Sequence, residues 1–195
     1  MFRKEFLILC SFATGMFLTV VAAGFWVGHT IGEDADKIAL DTLPSLVDAG
    51  TGMALTQDNW LRVYLLASTQ SAAEQAALIT QIRTNSNEGI WRDYGQNVYD
   101  PEEQQGYREL LAVRSNFMQL REEFFALIQT GPATGAKIFL EQKLTPAYEG
   151  YRENSMKLFE YNAQAGRSHA ARVVWISRAA PLVLGACSVI VFVLA

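Results

Sequence analysis

The sequence predicts an all-α chain, an antiparallel up-down-up-down four-helix bundle bracketed by two transmembrane helices. Three observations carry this reading. Both ends are long runs without Asp, Glu, Lys or Arg, from Phe6 to Gly32 and from Ala179 to Ala195. Between them apolar residues recur every three or four positions, the helical period, and no useful stretch alternates as a strand would. The breaks between periodic stretches are short, which suits antiparallel helical neighbours.

Phe6–Val27 is 22 residues long. A helix needs about 20 apolar residues to cross the roughly 30 Å hydrocarbon core. Trp26 stands at the far end, where an indole favours the headgroup zone. Arg3 and Lys4 precede the run and Glu33, Asp34 and Asp36 follow it, so the N-terminus is expected in the cytoplasm and the middle of the chain outside. A cleaved signal peptide would have a shorter apolar stretch, and Ala22-Ala23-Gly24 is only a faint cleavage site. A lipoprotein site at Cys10 is weaker still, because Leu9 before it is too large.

The second run begins at Val173 or Ala179, with Trp175 and Arg178 at its outer boundary and Pro181 in the first turn of the span, where a missing N–H is least costly. Its uncharged part has 17 residues, and no basic residue follows. A stop-transfer segment usually has Lys or Arg next, so we expect the N-terminal piece of a longer protein, cut inside its second span. The expected layout is a cytoplasmic N-terminus (1–5), a first transmembrane helix (6–28), an extracytoplasmic four-helix bundle (29–172) and a second transmembrane helix (173–195). That is the layout of a two-pass membrane protein.

Four bundle helices are read from the middle region. The first covers Ile38–Ser68, with Leu43, Leu46, Met53, Trp60, Tyr64 and Ala67 as its core face; Gly50 and Gly52 weaken it or permit close helix contact. The second covers Ala72 to about Tyr99, carries Leu78, Ile79, Ile82, Ile90, Trp91 and Tyr94, and is interrupted at Asn85-Ser86-Asn87 and Gly89. The third is the clearest. Asp100 is a natural N-cap, Pro101 suits the first helical position, and Glu102 and Glu103 favour the positive end of the helix dipole. Leu110, Val113, Phe117, Leu120, Phe124 and Leu127 then form a continuous seam that Gly131-Pro132 ends. The fourth starts near Thr134, with Leu140, Leu144, Tyr148, Tyr151, Leu158 and Tyr161 on one face and Ser155, Asn162 and His169 on a neighbouring line. Pro146 should bend it, and it should run on into the second span.

The middle region narrows the chemistry. Between His29 and Ala171 there are 19 Asp and Glu against 12 Lys and Arg, a balance of −7, so no basic patch tracks a nucleic acid. Cys10 and Cys187 both lie in the apolar runs, which rules out a disulfide framework or Cys/His metal site in the bundle. His29 and His169 stand near the membrane boundaries, and no Glu-x-x-His pair, nucleophile elbow, phosphate loop or HExxH motif occurs. Glu122 and Glu123 are adjacent and point apart. We therefore expect no catalytic residue, metal or cofactor. His169 reads as a titratable switch near neutral pH or as polar filler beside the headgroups.

This organisation resembles the four-helix-bundle sensor domain of bacterial methyl-accepting chemotaxis receptors. The resemblance rests on the span–bundle–span layout and on two stretches, YDPEEQQGYRELLAVRSNFMQLREEFFALIQTG and PATGAKIFLEQKLTPAYEGYRENSMKLFEY. It implies a homodimer, a small ligand at or near the dimer interface, and a displacement of the last helix passed through the second span to a cytoplasmic signalling domain. Some membrane histidine kinases and cyclic-dinucleotide enzymes carry the same sensor, and a structural membrane protein that senses nothing is a third class.

Arginines are the candidate ligand-binding residues. Arg62 falls off the expected seam of the first helix, on a face with Thr51, Leu55, Leu66 and Thr69 that could meet a partner subunit. Arg114 and Arg121 are seven residues apart and flank the seam of the third helix. A guanidinium fork holds a carboxylate by two parallel bonds; the plainer reading is pairing with local acids or contact with water.

Overall fold

The computed structural model describes the backbone of residues 2–194 and the side chains of all but 1–3, 5, 7–9, 133, 184 and 187–195. The described chain is all-α. Helix α1 (Phe2–Lys37), a π-helical turn (Ile38–Thr42) and α2 (Leu43–Ser68) follow without a break. Then come α3 (Ala72–Thr84), α4 (Glu88–Gln96), α5 (Pro101–Thr130), α6 (Ala133–Phe139), a second π-helical turn (Leu140–Leu144) and α7 (Thr145–Leu194). The chain divides into two compact units, residues 43–164 and residues 1–42 with 165–195.

Local chemistry explains the clearest boundaries. The Asp100 carboxylate accepts from the backbone N–H groups of Glu102 (2.8 Å) and Glu103 (3.3 Å), and α5 starts at Pro101 as expected. It stops at Gly131. The Ser71 hydroxyl likewise caps α3. The interruption read at Asn85-Ser86-Asn87 is a true break that splits the expected second helix into α3 and α4, and α4 ends at Gln96 rather than near Tyr99.

Each π-helical turn ends two residues before a proline, Pro44 or Pro146. Proline has no N–H for the carbonyl four residues back, and its ring crowds that carbonyl; a widened turn relieves both. At the second turn the Thr145 backbone N–H donates to Leu140 O, and the Thr145 hydroxyl donates to the same oxygen at 2.8 Å. Pro146 was singled out in the sequence and Pro44 was not, yet a π-helical turn precedes each. Pro181 corrects an expectation. It lies inside the continuous α7, not in a helix's first turn, so the lenient position assigned to it does not apply.

In the 43–164 unit one core joins α2 to α7. Leu110, Phe117 and Phe124 of the expected α5 seam are buried, Val113, Leu120 and Leu127 are partly buried against them, and Phe125 is buried too. Ile79, Ile82, Trp91 and Tyr94 fill the core from α3 and α4, and Leu140, Leu144, Tyr148, Tyr151 and Leu158 from the fourth helical line. Trp60 stacks on Tyr148, with ring centroids 4.1 Å apart.

The register of α2 differs from the one expected. Ser45, Ala49, Gly52, Thr56, Asn59, Val63 and Leu66 are buried, an unbroken alternation of four and three residues. Of the expected face, Trp60 is buried, Leu46 and Met53 are half-buried, and Leu43, Tyr64 and Ala67 are exposed. The seam is small and polar because bulky partners press on it. A Cβ built on Gly52 would lie 2.7 Å from Trp91 Cζ2, so glycine admits the indole. Leu66, placed beside Arg62 on an outward face by the sequence reading, is fully buried.

In the other unit the described side chains of α1 are mostly exposed, Phe12, Phe17, Leu18 and Phe25 among them. Among the described residues one helical stretch, Cys10–Ser68, contains a window apolar and long enough to cross a membrane. The second expected span falls on α7, where the side chains from 187 onward, Cys187 included, lie outside the described residues.

Candidate functional site

The break between α3 and α4 directs polar groups into the core. Asn87 makes no cap bond to α4; its side chain turns inward instead. Its amide donates to Tyr151 Oη (2.7 Å), Thr56 Oγ1 (2.8 Å) and Gly52 O (3.3 Å). Trp91 Nε1 donates to the same Tyr151 oxygen at 2.7 Å. Arg114 donates from Nε and Nη2 to Asn87 Oδ1, each at 3.4 Å. Buried polar groups need such partners, because one left unpaired costs about 1–3 kcal/mol.

A second layer adjoins it. Asn59 Nδ2 donates to Asn85 O (2.7 Å), and Asn85 Nδ2 donates to Asp58 Oδ2 (3.0 Å) and Asn59 Oδ1 (3.2 Å). Arg62 pairs with Asp58 and reaches Asn59 Oδ1 at 3.4 Å. A third layer holds buried Glu103, which accepts from Tyr94 Oη (2.6 Å) and Asn162 Nδ2 (2.8 Å). Nearby, burial, the Asp100 carboxylate and the charges of Glu103 and Glu102 push the Tyr161 phenol well above its usual range.

The three expected arginines gather around this polar core without meeting. Arg62 edges it through Asp58 and Asn59, and Arg114 through Asn87. Arg121 lines a narrow crevice with Asn59, Asn87 and Tyr151, pairs with Glu122 at 2.9 Å, and lies over the Phe125 ring, 5.5 Å from its centroid. Its buried Nε has no acceptor within hydrogen-bonding distance among the described residues. Arg83 also binds Glu122, at 2.6 Å. Burial opposes the ionised Glu122, but the two arginines prevail and hold its carboxyl below the usual range.

Thr56 also reaches a larger groove between α2 and α7, of about 90 Å³, walled by Met53, Gln57, Tyr148, Arg152 and Met156. Burial pushes the Tyr148 phenol up, against the pull of the Arg152 guanidinium and with the Tyr64 phenol adding to the rise. The groove therefore offers a neutral O–H donor beside a fixed positive charge, a pair suited to an oxyanion. Arg152 and Thr56 were not singled out in the sequence. Arg152 sits four residues past Tyr148 on one helical face, a spacing that could have found it.

The profile of a family described as a four-helix-bundle sensory module for signal transduction matches residues 4–172 of the 195. The chain belongs to this family. The sensory module expected from the sequence is thus the one present, and it is a signalling module rather than a family of enzymes. No curated protein matches the chain. The polar core and the groove lie on stretches that the sensory-module profile covers.

Proposed function

We propose that this chain is the membrane-anchored, extracytoplasmic sensor of a chemoreceptor-type signalling protein, working as a homodimer that binds a small anionic ligand. Residues 6–28 and 173–195 are its two spans, the N-terminus is cytoplasmic, and the bundle helices run antiparallel outside. The topology is supported by Arg3 and Lys4 before an uncharged apolar run. A partner surface is supported by the exposed Leu43, Val47, Leu61, Tyr64 and Leu65 of α2, the apolar residues its small polar seam leaves outside.

The observation that carries the ligand reading is the groove that Arg152, Tyr148 and Thr56 line together. A carboxylate seated there takes the guanidinium fork and the phenolic O–H. Arg62, Arg114 and Arg121 flank the adjoining polar core, which Thr56 joins to the groove. The ligand contacts α7, and α7 carries its displacement to the cytoplasmic output domain.

The test is a thermal-shift titration of the full chain in lipid nanodiscs with small mono- and dicarboxylates and amino acids. The parent should be stabilised by at least one anion, Arg152→Ala should lose that shift, and Arg152→Lys should recover it in part. A parent that responds to none, or an Arg152→Ala protein that responds like the parent, overturns the ligand reading. A cysteine at Gln104 should react with an impermeant reagent in intact cells; reaction only after lysis overturns the topology.

A further inference from the structure

Asp34 is an acid inside α1, yet only 2% of its surface is exposed. Its Oδ1 accepts from His169 Nδ1 of α7 at 2.8 Å, and its Oδ2 lies 3.7 Å from Arg172 Nε. His169 is mostly covered, whereas Arg172 is about half exposed. One carboxylate thus faces two bases three residues apart on the other helix, a separation of about 4.5 Å along a helix axis. The other charged groups nearby, Glu33, Asp36 and Lys37 on α1 and Arg167 on α7, are exposed, and Asp41 in the π-helical turn is half-buried.

A buried carboxylate needs a matched cation. Imidazole is the side chain whose charge ordinarily changes between about pH 5 and about pH 8. When a solvent proton binds His169 Nε2, Nδ1–H stays on Asp34 and the contact becomes an ion pair. When that proton leaves, the imidazole still donates to Asp34 but no longer balances its charge, and Asp34 gains by drawing Arg172 closer. The two states favour different axial positions of α7 against α1.

We propose that Asp34, His169 and Arg172 form a proton-sensitive latch that sets the register of α7 against α1, so that outside acidity biases the output of the sensor. Protonation favours the His169 register; deprotonation favours a shift of α7 toward its own N-terminus. The effect on output rests on the reading of α7 as the output helix; the register change does not.

The test is pulsed electron paramagnetic resonance on the full chain in nanodiscs, with the native cysteines replaced by serine and spin labels at Ala35 and Ala170. Flotation of the nanodiscs reports separately whether the chain is membrane-bound. Between about pH 5.5 and about pH 8, a range that spans imidazole titration, the parent's distance distribution should shift. His169→Gln should abolish that pH dependence, and His169→Lys should hold the low-pH distribution at both values. Asp34→Asn should give one distribution insensitive to pH. Should Asp34→Asn not fold, the parent and the two His169 variants still decide. A parent distribution unchanged by pH, or a His169→Gln protein that still responds, overturns the latch even where flotation confirms insertion.

Discussion

Asn87 donates to the Tyr151 hydroxyl at 2.7 Å, joining a helix break to the N-terminal part of α7 across 64 residues of sequence. The bond anchors a polar core, because the same oxygen also takes Trp91 Nε1. Tyr151→Phe should strand Trp91 Nε1, while the Asn87 amide keeps Thr56 Oγ1 and Gly52 O, and destabilise the chain by about 1–3 kcal/mol. Urea unfolding in detergent, followed by Trp fluorescence, measures it; an unchanged midpoint would mean that water already satisfies the indole N–H.

Phe117 is 4% exposed, with its ring 5.6 Å from Tyr151 and 6.3 Å from Trp60. Phe117→Ala should cost about 3–5 kcal/mol in the same assay, as truncation of a buried aromatic does. A loss under about 1 kcal/mol, typical of exposed sites, would place the side chain outside the core.

The two glycines of α2 should respond in opposite directions. Gly52→Ala puts a methyl 2.7 Å from the Trp91 ring, so it should destabilise by about 1–3 kcal/mol through overpacking. At Gly50 the new methyl meets Phe159 at 3.7 Å, an ordinary contact. Gly50→Ala should therefore stabilise by up to about 1 kcal/mol through helix propensity. Equal effects at both positions would contradict the close approach of Trp91 to α2.

Burial, above all, favours the neutral phenols of Tyr107, Tyr148 and Tyr161 in the folded chain. Raised folded values mean that this stability is intact below the ordinary 10.0 and is lost as pH rises past it. Alkaline unfolding should begin above that point, and Tyr161→Phe should make the fall with pH shallower. On the acid side the sign reverses for Glu122. Its stability is present above the ordinary 4.5 and is lost as pH falls, so Glu122→Gln should flatten the acid limb. Melting temperature measured against pH tests both limbs.

Much of the architecture follows from local chemistry and was therefore legible in the sequence. Asp100-Pro101 starts α5 and Gly131 ends it through bonds within a few residues, and the spacing of Leu110, Phe117 and Phe124 names their face without a partner. Asn85-Ser86-Asn87 likewise announced its break. The face of α2 was decided elsewhere. Its buried line of Ser45, Ala49, Gly52, Thr56 and Asn59 carries little apolar signal, and only the bulk of Trp91 and the polar partners Asn85, Asn87 and Tyr151 make it the inner one. A hydrophobic period read along one helix cannot register residues that arrive from other helices. The same reason hid Arg152, whose groove exists only where α2 and α7 meet, and Asp34, which meets His169 across 135 residues. The sequence determined the helices and the family of the module; tertiary contact alone decided which side of α2 faces inward and which charges meet.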